Sequence, residues 1–262
     1  MWLDQESAIH KREIVLEKPF LNAAGTLGFY PNPHTMPYLH HLSAFLTNPI
    51  SQYPRQPAGN RATIPFSGGF LLHTGLQNPG ITRAVGQIKR RWANAPLPII
   101  VHLLVESPQS LTDMIRRLEG LENIMALELG IPPDCQPDTL NAILEAARGE
   151  LPLILSLNPE QILNLDSSLR ESSHIPIHLT EPRGMLPNKD GQFVTGRLYG
   201  PAIVPQMLKA AKALVDQGLQ VIVNGGVTTI KEVKAFLDCG VTAVGLGSLL
   251  WGVDPAAFFA DF

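Results

Sequence analysis

The chain has 262 residues, 45% of them hydrophobic and 16% charged, with a formal net charge of −3. This balance supports a large packed core and excludes a disordered chain. It also leaves no electrostatic case for nucleic acid or an anionic membrane as partner; the short run Lys89-Arg90-Arg91 reads as a solvated helix end.

The first segment, MWLDQESAIHKREIVL, carries acids and has no apolar centre, so it does not read as a secretory leader. No apolar run approaches the roughly 20 residues that span a bilayer. Cys135 and Cys239 are too few for a disulfide framework or a cysteine-ligated iron–sulfur cluster, and a reducing cytoplasm is the expected compartment.

Eight short apolar runs read in turn as buried parallel strands: Pro19–Ala23, Ala44–Thr47, Pro98–Leu104, Ile124–Leu129, Pro152–Leu157, Ile175–Thr180, Leu219–Asn224 and Ala243–Gly247. Helical periodicity fills most of the gaps, as in Ser110–Leu121, Ala202–Gln217 and Ile230–Asp238. Gly218 and Gly240 stand where helix C-terminal caps belong. Strands alternating with helices imply a parallel sheet with right-handed crossovers, and eight of them favour closure into a (β/α)₈ TIM barrel of α/β class. No linker or composition break divides the chain, so residues 1–262 are expected to form a single domain. Two inserts, Ser51–Gly75 and Pro182–Tyr199, follow strands and are expected to lie lid-like over the C-terminal mouth.

The stretch LQVIVNGGVTTIKEVKAFLDCGVTAVGLGS, residues 219–248, is strand, glycine turn, helix, strand, glycine turn. In such a barrel the last two strand-to-helix loops form the usual phosphate site. Gly225, Gly226, Gly247 and Ser248 would bring backbone N–H groups to an anion. The competing reading is that these glycines only serve tight turns.

Four motifs in this order are similar to those of the dihydroorotate dehydrogenases. They are Asn22-Ala23-Ala24-Gly25-Thr26-Leu27-Gly28, His73-Thr74-Gly75-Leu76-Gln77-Asn78-Pro79-Gly80, Tyr199-Gly200-Pro201-Ala202-Ile203, and the stretch just described. The resemblance covers nearly the whole chain and is nearer to the soluble forms than to the membrane-attached one. It implies FMN at the mouth of the barrel and a small-molecule substrate whose CH–CH group gives a hydride to the flavin, chemistry of pyrimidine biosynthesis. By motif match the flavin would be held at Ala24, Gly25, Gly200, Gly225, Gly226, Gly247 and Ser248. Asn48, His102, Ser156 and Thr180 occupy further positions expected to face it. His73, Gly75 and Leu76 fall where a substrate wall is expected. The resemblance also implies a homodimer, with a separate electron-transfer subunit as a further partner.

The side chains of the family pattern are largely replaced. Asn48 and Ser156 stand for lysines, and Leu72, His102 and Thr180 for asparagines. Pro133 stands for the loop base, two residues before Cys135. The lysines would offer positive charge to a reduced flavin. Proline can neither donate a hydrogen bond nor take a proton. Cys135 is then either a re-registered base or an unreactive loop thiol. His102 either donates to the flavin or acts as an acid, or is a satisfied polar residue at the rim. His178 reads as structural, His40-His41 as solvent-facing, and Cys239 as a core thiol. His102, Glu128 and His178 have no ligand spacing, so no metal is expected. Three functions remain open: a flavin oxidoreductase related to dihydroorotate dehydrogenase with its substrate kept or changed, a non-catalytic or ligand-binding relative, and a flavin-free phosphate-binding barrel enzyme.

Overall fold

The fold is taken from a computed structural model that describes residues 14–252, 255–260 and 262. The segment read above as not a leader therefore lies mostly outside the described residues. Eight parallel strands form the barrel: β1 (Phe20–Asn22), β2 (Phe45–Leu46), β5 (Ile99–Leu104), β6 (Ile124–Gly130), β7 (Leu153–Leu157), β8 (Ile177–Leu179), β11 (Val221–Val223) and β12 (Ala243–Leu246). Their order in the sheet is β1-β12-β11-β8-β7-β6-β5-β2. Each lies within one of the eight apolar runs except β6, which extends one residue further to Gly130. The two ends of the sheet meet through a parallel bridge between Leu21 and Ala44. Here the Asn22 amide stands in for a longer ladder: it donates to the Leu46 carbonyl at 2.6 Å and accepts from the Leu46 N–H at 2.8 Å.

Alternation along the strands divides the apolar residues into two layers. One face, including Phe45, Val101, Leu127, Leu155 and Val244, belongs to the large cluster that also holds Ile88, Met114, Leu140 and Phe236 of the surrounding helices. The other face meets inside the barrel as Leu21, Leu46, Ile100, Ala126, Ile154, Ile222 and Ala243. Two residues further along the same inner face stand His102, Glu128, Ser156, Asn224 and Gly245. A polar layer therefore sits above an apolar one, just below the mouth.

Among the described residues there are seven α-helices: α1 (Ile81–Ala93), α2 (Pro108–Arg116), α3 (Pro137–Ala146), α4 (Pro159–Glu171), α5 (Val204–Val215), α6 (Ile230–Asp238) and α7 (Pro255–Ala260). Capping boxes start three of them: Ser107 with Ser110, Asn158 with Gln161, and Thr229 with Glu232. Pro108, Pro137 and Pro159 sit in the first turn, where the missing N–H costs nothing. The helix expected over Ser110–Leu121 starts earlier, because the Ser107 cap lies upstream, and ends at Arg116. The one expected over Ala202–Gln217 begins as a 3₁₀ turn, Pro201–Ile203. Gly218 and Gly240 have φ of +80° and +100°, the left-handed conformation expected after a helix.

The two inserts are more ordered than loops. Strands β3 (Ala62–Phe66) and β4 (Gly69–His73) form one hairpin, and β9 (Arg183–Pro187) and β10 (Phe193–Tyr199) form another. They join through β4 and β10 into one antiparallel sheet of order β3-β4-β10-β9. Two glycines allow this junction: a Cβ on Gly69 would lie 2.0 Å from the Tyr199 carbonyl, and one on Gly196 would lie 2.5 Å from that of Leu72. His40 is exposed as expected. His41 is half-buried, its ring stacked 4.3 Å from that of Phe259.

Candidate ligand site at the barrel mouth

A cavity of about 110 Å³, open to solvent, lies between the strand ends and the four-stranded sheet. Ala24, Gly25 and Asn48 come to it from the ends of β1 and β2, and His102 from inside β5. Leu72, Thr74 and Leu76 close it from the β4 insert, and Arg197 and Tyr199 from β10. The tilt of Leu76 into the wall uses a φ of +56°, with its N–H held by the Thr74 hydroxyl at 3.2 Å.

His102 is the deepest polar member. It is 1% exposed, as is Glu128 beside it in register on β6. The His102 Nδ1 lies 2.6 Å from Glu128 Oε1, and His178 Nδ1 lies 2.5 Å from Glu128 Oε2. His178 Nε2 in turn donates to the Asn224 carbonyl at 2.8 Å. Burial alone would raise the Glu128 pKa. The charge of His178 and the hydrogen bonds from both imidazoles outweigh it and hold the carboxyl well below its ordinary range. Burial alone would lower the His178 pKa, but the Glu128 carboxylate, the Asn224 carbonyl and Glu181 raise it. The layer thus holds an ionised Glu128 between an imidazolium at His178 and the Nδ1–H of His102. Two glycines make room for it. A Cβ on Gly130 would lie 2.6 Å from His102 Nε2, and one on Gly245 would lie 1.7 Å from Asn224 Oδ1. Among the described residues, two buried side-chain atoms of the layer, His102 Nε2 and Asn224 Nδ2, have no hydrogen-bond partner.

Arg197 was not singled out by the sequence reading, yet it places a guanidinium in the cavity wall. Its Nη1 is 3.4 Å from the Glu181 carboxylate. Burial lowers its pKa, and Tyr199, Glu181 and Glu128 more than restore it, so the charge is secure. Tyr199 lies beneath, stacked on Phe70 at 5.3 Å, its phenol pushed upward by burial and by Glu181.

The glycine turns lie around the rim. Among the described residues, the N–H groups of Gly225, Gly226, Gly247 and Ser248 have no hydrogen-bond partner, and the turns end the adjacent strands β11 and β12. Gly225 and Gly226 also answer to packing. A Cβ on Gly225 would lie 2.3 Å from the Phe236 ring, and one on Gly226 would lie 2.4 Å from the Gly200 carbonyl. The start of α6 offers less to a ligand than expected, because Glu232 Oε2 already accepts from the N–H groups of Thr228 and Thr229, at 2.7 and 2.9 Å.

Several sequence candidates lie elsewhere. Ser156 and Thr180 are buried inside the barrel, Thr180 donating to the Leu157 carbonyl at 3.2 Å, and neither lines the cavity. His73 points to Asn60 Oδ1 at 3.2 Å, and Gly75 packs on Ala58. Cys135 is 5% exposed within the apolar core, its Sγ directed to the Gln136 carbonyl at 3.5 Å. Burial, aided by Asp134, pushes its thiol pKa up, the reverse of an activated thiolate. Its loop is tied down by Gln161, whose Nε2 donates to the carbonyls of Ile131 and Pro132.

Fold and site together define a (β/α)₈ barrel with a ligand cavity at the C-terminal mouth. In sequence the chain is similar over nearly its whole length to dihydroorotate dehydrogenases, as its motifs led one to expect. It is 28% identical to the catalytic subunit of dihydroorotate dehydrogenase B (NAD(+)) of Desulforudis audaxviator, over 93% of this chain and 86% of that one. It is 27% identical to dihydroorotate dehydrogenase A (fumarate) of Limosilactobacillus reuteri, over 97% and 90%. In structure it matches the Eimeria tenella dihydroorotate dehydrogenase crystallised with ferulenol, with a TM-score of 0.73 over 93% of this chain and 79% of that one, at 14% identity. No protein-family model matches the chain.

Proposed function

We propose that this chain is an FMN-dependent oxidoreductase of the dihydroorotate dehydrogenase type, acting on a CH–CH group of a dihydroorotate-like substrate. The observation that carries the reading is the cavity itself. Residues of the first-strand and Gly-Leu-Gln-Asn-Pro-Gly motifs line it, and partner-free N–H groups at Gly225, Gly226, Gly247 and Ser248 lie at the ends of the neighbouring strands. These features fit FMN: the glycine turns would hold its phosphate, with Ala24, Gly25, Asn48 and His102 beside the ring.

Bound flavin would supply the acceptor for a hydride. The residues of the chain bind and orient. Arg197 offers the positive charge that Asn48 and Ser156 do not. Leu76 and Tyr199 exclude water from one wall. The relatives named as catalytic subunits suggest a separate electron-transfer partner. A homodimer, a single-domain chain and a cytoplasmic setting complete the proposal; among the described residues no helix is long and apolar enough to cross a membrane.

A second reading has its own support. With Cys135 packed into the core and Pro133 at the usual base position, the mouth presents no loop thiol or hydroxyl base at these positions. A ligand-binding relative that keeps the flavin but not the reaction would look the same. Photoreduction of the flavin-loaded protein followed by mixing with orotate or fumarate separates the two: reoxidation supports the enzyme, and a flavin that stays reduced supports the binding relative.

A further inference from the structure

A buried imidazole nitrogen without a partner, on a residue that lines a cavity, has to be matched by a ligand atom or pay for lost hydration. His102 Nε2 is such an atom. What it can match is decided at the other side of the ring. Nδ1 lies 2.6 Å from a carboxylate oxygen, and an ionised carboxylate only accepts. A ring proton therefore sits on Nδ1, and a ring with that single proton presents a bare lone pair at Nε2. Glu128 cannot turn away to release it, because its second oxygen is held by His178, which is itself held by Asn224. On this reading His102 accepts, where a donor or an acid was expected.

Two further groups of the cavity wall define what the ligand carries. The Asn48 carbonyl accepts from the Gly28 N–H at 3.0 Å, which leaves its amide N–H groups to donate into the cavity. Arg197 is a pure donor. The wall thus offers donors at Asn48 and Arg197 and an acceptor at His102. An imide, with an N–H between two carbonyls, carries the complementary set.

We propose that the Glu128–His178–Asn224 chain locks His102 as a hydrogen-bond acceptor, and that this acceptor selects a ligand presenting the imide N–H of a planar ring. Glu128, His178 and Asn224 are positioning residues; His102 is the contact. The inference rests on the proposed cavity ligand only for the choice of probes. The tautomer is a property of the protein alone.

The full chain labelled with ¹⁵N-histidine, observed at neutral pH, tests the first half. The His102 signals, assigned with His102→Gln, are expected to show a protonated Nδ1 and a bare Nε2. A protonated Nε2 overturns the proposal whether or not flavin binds. For the second half, FMN is compared with N3-methyl-FMN, and orotate with its N3-methyl derivative. At least one pair is expected to bind about tenfold or more tighter in the unmethylated form, and the pair that does so identifies cofactor or substrate as the source of the imide. Equal affinity within both pairs, or binding of none of the four, overturns the ligand assignment. Glu128→Gln, whose amide can donate to Nδ1, is expected to move the proton to Nε2 and abolish the preference. If that variant does not fold, the wild-type signals and the methylated probes still decide.

Discussion

The two sides of the barrel mouth are built from different materials. On the β11–β12 side, the groups proposed to hold a ligand are backbone: glycines at 225, 226 and 247, with N–H groups that no side chain in the described structure meets. On the side facing β5, β6 and β8 they are side chains, and a charged layer of Glu128, His102 and His178 fills the barrel below them. A backbone cradle tolerates sequence drift provided Gly225 and Gly226 stay, since a Cβ there would collide with the Phe236 ring or the Gly200 carbonyl, whereas Gly247 has room for one. A side-chain site changes its chemistry with each substitution. The motifs that resemble those of dihydroorotate dehydrogenases include the glycine turns of the first side, while Asn48, Pro133 and Ser156 depart from the family pattern on the second.

The comparison breaks most visibly at Glu128. Glu128→Ala removes the anion between two buried imidazoles and is expected to destabilise the fold by about 3–5 kcal/mol, because His178 is left without its counter-charge. A urea midpoint within error of wild type would show that the layer carries no such charge. Next come the glycines. Gly245→Ala drives a methyl into Asn224, and Gly225→Ala drives one into Phe236; each is expected to cost about 1–3 kcal/mol. Gly225→Ala should also weaken flavin binding directly at the glycine turn, whereas Gly245→Ala, which displaces Asn224 from His178, should reach a ligand only through His102, a contrast that paired urea and flavin titrations can read.

The pH dependence of stability follows from the same pair. The Glu128 pKa is lowered on folding, so its contribution is present above the unfolded value of about 4.3 and is lost as pH falls through the folded one. The His178 pKa is raised, so its contribution is full below about 6.5 and is lost as pH rises through the folded value. Stability from this pair is therefore greatest between about pH 4.3 and 6.5. Unfolding free energies of wild type and His178→Gln across pH 4–9 should converge towards the alkaline end; parallel curves would count against a charged His178. The smallest effect is expected at Cys135. Cys135→Ala should cost about 1 kcal/mol of stability and leave flavin binding and any turnover unchanged, while loss of turnover with flavin retained would restore it as the base.

The barrel was legible because buried parallel strands leave continuous apolar runs, such as Pro98–Leu104 and Pro152–Leu157, each ended by a cap or a glycine. The inserts were less so. Ala62–Phe66 alternates half-buried and exposed residues, and Ser67-Gly68 is a two-residue hairpin turn, but glycine and proline nearby read as loop. Arg197 escaped for the same reason: it reaches the cavity only because β10 pairs with β4, a contact 125 positions apart in the register Arg197–Leu72. The polar layer was half legible. The sequence groups His102, Glu128 and His178 only as a metal set without ligand spacing, because the 26 and 50 positions between them carry no local signal. Only strand order places all three at one level.

The central claim is that the glycine turns and the cavity between the two sides hold a flavin. The visible absorption spectrum of the purified chain, before and after incubation with FMN and removal of the excess, tests it most directly. The account predicts flavin bands that remain with the protein at close to one equivalent per chain. A colourless protein that retains no FMN after incubation would contradict it.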